Sequence, residues 1–425
     1  MIPQFRKDRV FALELDKLDP LAPFKDQFVI GDPDLVYMDG NSLGRLPLAV
    51  ADRVNSIVMK EWGTNLINSW NEGWWDAPKR VGEKIAKIIG AAPGQTIVCD
   101  AVSVNLFKLV ISALSMRSGR SKIITDKLNF PSDLYILQGC VNSLGNKHKI
   151  TYIESLDNDI TPNLEALYQS IDQDTAIVTL SHVAFKSGYL YDMAEITRKA
   201  HQVGALVIWD LCHSVGVVPI ELDACKVDFA LGCTYKYLNG GPGSPAFIYT
   251  NKSLHKISTS PIWGWWGQKT PFSFKLNHIP ADGMEKYLVG TQPMISMLCL
   301  EAALDQYSQA DMIAFRKKSI QMGEYFIFLS DLKLAPLGFI LGSPRNSSER
   351  GSHVSIRHPE GYRINRVLID ETKVIPDFRD PDNIRFGLSP LYTSYLDIWE
   401  AIERTSIVVA EKRYEKVIQT RPEVT

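Results

Sequence analysis

The sequence lacks the features that mark membrane, secreted and nucleic-acid-binding proteins. No apolar run approaches the roughly 18 residues needed to span a bilayer, and the N-terminus lacks the apolar core of a signal peptide. Lysine and arginine together number 46, against 48 aspartates and glutamates, so no excess of positive charge favours nucleic acid or a membrane surface. We therefore expect a cytoplasmic protein that binds neither nucleic acid nor membrane.

Cysteine is also scarce, and its spacing argues against further classes. The six cysteines include no CxxC pair, which in a chain of this length indicates reduced thiols rather than a disulfide framework. No metal site is predicted. The glycine-rich stretch "NGGPG" at 239–243 matches neither a P-loop nor a dinucleotide fingerprint.

Seven short apolar runs predict the strands of one sheet. Most of the runs are continuous rather than alternating, as expected for strands that are buried on both faces. Helical patterns lie between many of them, with Ser103 as a candidate N-cap. This alternation predicts an α/β fold with a seven-stranded, mainly parallel sheet and helices on both faces. The runs are 96–100, 122–126, 149–153, 175–180, 205–210, 228–232 and 245–249, and the helical patterns are 76–90, 103–116, 131–145 and 192–204.

The length of 425 residues predicts more than one domain. After about residue 300 the strand–helix alternation gives way to one long helical stretch at 296–332 and then to shorter segments. We predict a large domain at 61–310, a smaller C-terminal α+β domain at 311–425, and an N-terminal arm at 1–60 that packs with the small domain. No flexible linker separates these regions, so close packing is expected.

Polar residues follow several predicted strands at the edge where ligands bind in open α/β sheets. Asp210 ends one run and His213 follows it, Ser181 and Lys236 come after two others, and Ser103 heads a helix. Each residue alone has a simpler interpretation, such as a surface lysine or a core histidine. Together they supply what pyridoxal phosphate needs: an amine for a Schiff base, a carboxylate for the ring nitrogen, and a helix start for the phosphate.

The segment "DLCHSVGVVPIELDACKVDFALGCTYKYLNGGPG" resembles the cofactor-lysine region of kynureninases. These are pyridoxal phosphate enzymes of fold type I, near the class V aminotransferases and cysteine desulfurases. The resemblance implies hydrolysis of the Cβ–Cγ bond of L-kynurenine, or of a ring-substituted kynurenine, to an anthranilate and L-alanine. It also implies a homodimer with shared active sites. Further motifs in the family's order are "YMDGNSLGRLP", "VSVNLFK", "NFPSDLY", "LSHVAFKSGYLYDM", "WGWWG", "GTQPMIS" and "DNIRFGLSPLYT".

The resemblance also implies roles for individual residues. Lys236 would form the Schiff base and act as the base at Cα, and Asp210 would hold the ring nitrogen. Tyr235 would reach the phosphate and relay a proton, and Arg385 would clamp the substrate carboxylate. The other expected cofactor contacts are Val102 and Ser103 at the phosphate, Phe130 stacked on the ring, Pro131, Ser132 and Asp133 beside it, Ser181, His213, and Trp265 and Thr291 from the second subunit.

Four positions depart from the family's usual pattern. Ala184 and Phe185 stand where an asparagine and a tyrosine are common, Gln268 replaces a histidine, and Trp266 is bulkier than the usual residue. One interpretation is neutral drift, and the other is a changed aromatic substrate in a specialised pathway. Trp70 and Trp74 have a similar ambiguity, between core residues and a wall of the substrate pocket.

Other classes fit the sequence less well. A class V aminotransferase would share the lysine and the aspartate but would lack "WGWWG" and "GTQP" at these places. A cysteine desulfurase needs a nucleophilic cysteine on a late loop, whereas the last cysteine is Cys299. A non-enzymatic scaffold would be indicated by loss of Lys236 or Asp210, and both are present.

Overall fold

The computed structural model describes residues 4–309 and 311–417 of the chain. Its largest element is a seven-stranded sheet in the order β2-β8-β7-β6-β5-β3-β4. Every neighbouring pair is parallel except the two made by β8, which runs antiparallel to β2 and β7. The strands are β2 (Thr96–Val98), β3 (Lys122–Asp126), β4 (Lys149–Ile153), β5 (Thr175–Ser181), β6 (Leu206–Asp210), β7 (Phe229–Gly232) and β8 (Phe247–Thr250).

Two smaller groups of strands lie elsewhere. A four-stranded antiparallel sheet has the order β12-β13-β10-β9, and β1 pairs with β11 in a parallel two-residue ladder. These strands are β1 (Val36–Tyr37), β9 (Ile340–Leu341), β10 (His353–Arg357), β11 (Val374–Ile375), β12 (Asp377–Arg379) and β13 (Asn383–Gly387).

Eleven α-helices occur in the described residues. They are α1 (Arg9–Leu18), α2 (Leu48–Ser56), α3 (Ala77–Ile88), α4 (Val102–Ser115), α5 (Pro131–Ser143), α6 (Leu164–Ser170), α7 (Met193–Gln202), α8 (Met294–Ala303), α9 (Met312–Lys333), α10 (Gly361–Thr372) and α11 (Tyr395–Ala410). None of them is long and apolar enough to cross a bilayer.

The predicted α/β fold is confirmed, because all seven predicted strands form the large sheet within a few residues of their expected bounds. Two details of the prediction were wrong. Ser103 does not cap α4, since the helix begins one residue earlier with Ala101 at the N-cap. The long helical stretch is two helices, because Asp311 caps a new start by accepting a hydrogen bond from the backbone N–H of Ala314.

Two hydrophobic cores organise the molecule. The first surrounds the large sheet and includes residues from α3, α4 and α8. The second joins α9, α10, α11 and the small sheet to Phe11, Leu15 and Val36 near the N-terminus. These cores support our proposal that the N-terminal arm belongs with the small C-terminal domain.

Candidate active site

Lys236 lies in the loop that follows β7, at the carboxyl end of the large sheet. The loop turns tightly because Asn239, at φ 59°, donates its backbone N–H to the Lys236 carbonyl at 3.0 Å. The N-terminal loop packs against this turn: the Gly44 N–H donates to the Tyr235 carbonyl at 2.8 Å. A Cβ at Gly44 would lie 2.3 Å from the Lys236 carbonyl oxygen, so only glycine fits there.

The side chain of Lys236 is partly buried and lies near His213 and Phe130. Its Nζ lies 3.1 Å from Nε2 of His213, which follows β6, and 5.9 Å from the ring centre of Phe130. Burial, together with the charge of Lys236, lowers the pKa of His213 well below its usual range. The imidazole is therefore neutral at physiological pH.

A pair of carboxyl groups lies at the end of β6 and in the first turn of α5. Asp210, the last residue of β6, accepts a hydrogen bond from the Cys212 backbone N–H at 2.7 Å, and the Ser181 hydroxyl lies 3.4 Å from it. Burial, and next the Asp210 carboxylate, raise the pKa of Asp133 well above its usual range. Asp133 therefore holds a proton more tightly than an ordinary aspartate does.

Two helix starts meet beside these residues. The hydroxyls of Ser103, in the first turn of α4, and Ser132, in the first turn of α5, lie 3.0 Å apart. Neither helix has a capping side chain among the described residues, so backbone N–H groups in the first turn of α4 remain available for an anion. In α5, Pro131 has no N–H and the Asp133 N–H donates to the Phe130 carbonyl, which leaves the Ser132 N–H. Val102 and Pro131 are the first residues of the two helices.

Arg385, on β13 of the small sheet, reaches the same region. Its guanidinium is 2% exposed and is held by Asp377 on the neighbouring strand β12. One of its N–H groups also donates to the Phe185 carbonyl at 2.5 Å. One edge of the Arg385 guanidinium is therefore already occupied by Asp377.

These side chains surround a cavity of about 180 Å³. It is formed by the ends of β6 and β7, the N-terminal loop and the small sheet. Its lining residues are Asn41, Ser42, Phe130, Asp210, Cys212, His213, Tyr235, Lys236, Arg379 and Arg385. An amine, a buried carboxylate and two uncapped helix starts at one sheet edge match the groups that hold pyridoxal phosphate.

Several predicted site residues do not line this cavity. Five belong to the starts of α4 and α5, and these are Val102, Ser103, Pro131, Ser132 and Asp133. Trp265 is 42% exposed and lines a different cavity, of about 600 Å³, with Trp70, Trp75 and Phe272. Thr291 is exposed and follows the loop that packs under "WGWWG". Ser181 also does not line the cavity but supports Asp210 from behind by its hydroxyl contact.

The departing positions have different surroundings. Phe185 packs edge-to-face on Phe130 with ring centres 5.2 Å apart, next to the cavity. Gln268 instead hydrogen-bonds within its own loop. Its side-chain oxygen accepts from the backbone N–H groups of Lys269 and Ile279, and its side-chain nitrogen donates to the Asn277 carbonyl. Trp266 is buried against Trp70 and Trp75, and Ala184 is buried in the turn before Phe185.

Sequence reasoning missed five residues at or behind the cavity. Asn41 and Ser42 come from the quoted motif "YMDGNSLGRLP", which could have suggested them, and Cys212 lies inside the quoted lysine region. Arg379 and Asp377 had no such signal, because β12 is only three residues long and pairs with β13 across a turn.

Comparisons with known proteins identify the family. The family description "Kynureninase C-terminal domain" matches residues 315–405. A kynureninase from Pseudomonas fluorescens is 42% identical over 97% of this chain and 99% of its own length. One from Burkholderia pseudomallei is 41% identical over 93% of this chain and 94% of its own length. The chain belongs to the kynureninase family.

Solved structures support the fold assigned to this family member. A mutant of the enzyme C-DES, with glycine covalently linked to its pyridoxal phosphate cofactor, superposes with a TM-score of 0.78 at 17% identity. It covers 90% of this chain and 98% of its own. A cysteine desulfurase from Escherichia coli gives 0.77 at 15% identity, covering 94% and 99%. At these identities the likeness concerns the fold, which is that of fold type I pyridoxal phosphate enzymes.

Proposed function

We propose that the protein is a pyridoxal-phosphate-dependent hydrolase that cleaves the Cβ–Cγ bond of L-kynurenine or of a ring-substituted kynurenine. The products would be anthranilate, or its substituted form, and L-alanine. The observation that carries the proposal is the Lys236 amine beside His213 and Asp210 at one sheet edge, in a member of the kynureninase family.

Each requirement of the cofactor has a candidate residue here. Lys236 would hold it covalently, and Asp210, supported by Asp133 and Ser181, would face its ring nitrogen. The first turns of α4 and α5, with the hydroxyls of Ser103 and Ser132, would take its phosphate. When bound, pyridoxal phosphate supplies a cationic ring that stores the electron pair released at the substrate α-carbon.

The protein's own groups would then handle the substrate and its protons. Arg385 would bind the α-carboxylate, which brings Cα towards the Lys236 amine, and that amine would accept the Cα proton. Water would then add to the side-chain carbonyl and the Cβ–Cγ bond would break, which leaves the oxygen of the water in the new carboxyl group. The bonding electron pair would stay on Cβ, which takes up a proton and becomes the methyl group of alanine. Tyr235, which lines the same cavity, would deliver this proton.

We further propose a homodimer in which Trp265 and Thr291 complete the partner's site. Support comes from their separation from the Lys236 cavity of their own chain. Strongly exposed apolar side chains surround Trp265, in an amount unusual for a free surface. They are Ile67, Trp263, Phe272, Phe274, Leu276 and Ile279.

One assay tests the reaction. Purified holoenzyme is mixed with kynurenine or 3-hydroxykynurenine, and the anthranilate product is followed by fluorescence. Alanine formation in equal amount would support hydrolysis, whereas amino-group transfer to an added α-keto acid without anthranilate would indicate an aminotransferase instead.

A second assay tests the shared site. Lys236→Ala and Thr291→Ala proteins, each impaired alone, are unfolded together, refolded and mixed with cofactor. Hybrid dimers should regain activity because one of their two sites has both residues. A monomer by light scattering, or no recovery in the mixture, would contradict the dimer.

A further inference from the structure

The guanidinium of Arg385 is fixed by a carboxylate before any substrate arrives. Asp377 and Arg385 are direct partners in the antiparallel ladder between β12 and β13, so their side chains leave the same face of the small sheet. The Arg385 Nε donates to Asp377 Oδ1 at 2.6 Å, and Nη2 donates to Oδ2. This two-point contact locks the plane of the guanidinium.

The remaining hydrogen bonds leave one edge for a ligand. A guanidinium has five N–H groups, and two of them are used by Asp377. Nη1 gives one to the Phe185 carbonyl at 2.5 Å, and Nη2 gives its second to the Ser42 hydroxyl at 3.2 Å. Within the described residues, the second N–H of Nη1 has no acceptor, and the contact to Ser42 is the longest of the four. A carboxylate can therefore accept from the free N–H of Nη1 and, by displacing the long Ser42 contact, from Nη2 as well.

The carboxylate of Asp377 is itself firmly held. It accepts a hydrogen bond from the Ser42 hydroxyl at 2.6 Å and lies 2.9 Å from Nη2 of Arg379, and it is 1% exposed. Burial alone would raise the pKa of Asp377, but Arg385 outweighs it and leaves the pKa below its usual range. The group is thus a permanent anion that joins two arginines of the cavity wall.

We propose that Asp377 is a positioning residue that aims the Arg385 guanidinium at the α-carboxylate of the substrate. This inference rests on the carboxylate-binding role of Arg385 in the proposed function. Asp377 does not line the cavity, so its influence on the substrate passes through the orientation of Arg385. The β12–β13 register places Asp377 opposite Arg385, and this pairing determines which edge of the guanidinium remains free.

The test compares Asp377→Asn, Asp377→Glu and wild-type holoenzyme. Asp377→Asn loses the two-point ionic contact, so KM for the amino-acid substrate should rise at least about tenfold, as loss of one or two charge-assisted hydrogen bonds predicts. Turnover at saturation should change much less. Asp377→Glu keeps the anion and should restore part of the affinity, and it serves as the test protein if the asparagine variant does not fold.

A matched control separates positioning from stability. Arg350 is also 2% exposed and pairs with Glu324 in the same domain, away from the cavity. Glu324→Gln should lower the melting temperature with KM unchanged. If Asp377→Asn and Asp377→Glu leave KM at the value of the Glu324→Gln protein, the positioning role is overturned.

A binding measurement makes the result independent of turnover. Calorimetric dissociation constants are measured for L-alanine and for ethylamine, which lacks the carboxylate. Asp377→Asn should weaken L-alanine about tenfold or more and leave ethylamine unchanged; equal weakening of both ligands would overturn the proposal. A wild type that binds L-alanine but does not cleave kynurenine would contradict the proposed reaction and leave this result standing.

Discussion

The Nζ atom of Lys236 lies 3.1 Å from Nε2 of His213, so an amine and a neutral imidazole share the floor of one cavity. Because the imidazole pKa is held well below its usual range, first by burial and then by the lysine charge, His213 does not titrate near neutral pH. Its ring can therefore orient the amine over the whole working range of pH.

This relationship predicts the pH behaviour of activity. The profile of kcat/KM between pH 5 and 8 should contain no step that belongs to His213. His213→Ala should lower kcat/KM by about tenfold, because a buried hydrogen-bond partner worth roughly 1–3 kcal/mol is lost. His213→Asn, which can still hydrogen-bond, should recover part of the loss. A step near pH 6.5 that disappears in both variants would contradict the neutral assignment.

Substituting Lys236 should separate cofactor chemistry from folding. Lys236→Ala should lose the visible absorption of covalently held pyridoxal phosphate and all turnover, because among the described residues that line the cavity no other side chain offers an amine. The matched control is Lys256→Ala, at an exposed lysine outside the cavity. Unchanged absorption in Lys236→Ala, or an equal loss in the control, would disprove the assignment.

Asp39 should make stability depend on pH. Burial, and next the Asp377 charge, raise its pKa to about 7 in the folded chain, above the ordinary value of about 3.9 in an unfolded one. The folded state therefore binds the proton more tightly, and the stability from this group is lost as pH rises from about 4 through 7.

Asp39→Asn removes this dependence. The difference in melting temperature, variant minus wild type, should become more positive as the pH rises from 5 to 8. Calorimetry at each pH measures this difference. A constant difference for Asp39→Asn across that range would contradict the prediction.

Substrate choice should depend on Phe185 more than on Gln268. Phe185 touches the Phe130 ring beside the cavity, whereas the Gln268 amide is occupied within its own loop. Phe185→Tyr, with or without Ala184→Asn, should shift the kcat/KM ratio of 3-hydroxykynurenine to kynurenine by about tenfold or more. Gln268→His should lower the melting temperature and leave that ratio unchanged. If only Gln268→His changed this kcat/KM ratio, Gln268 rather than Phe185 would determine substrate choice.

The large domain was predictable because its strands are continuous apolar runs and its helices carry local start and stop signals. Lys236, Asp210 and His213 could be placed together because parallel strands bring their carboxyl ends to one edge. The small domain was harder to predict. Two-residue strands such as Val36–Tyr37 and Val374–Ile375 have no periodicity to read, and their pairing spans most of the chain.

The same limit applied to the site. The resemblance pointed to Arg385, but Asp377 became visible only once β12 and β13 were paired. Neither Trp265 nor Thr291 lines the cavity that contains Lys236, and their place in a partner's site stays a prediction.

The pairing of β1 with β11 has a consequence for biosynthesis. The second core takes Phe11, Leu15 and Val36 from the start of the chain and closes them against α9, α10 and α11. During synthesis, these first residues leave the ribosome long before α9, α10 and α11 have been made. Their apolar side chains therefore stay exposed while the large sheet forms. A fragment limited to residues 315–405 would lack the same segment, and we expect it to expose apolar surface and aggregate when expressed alone.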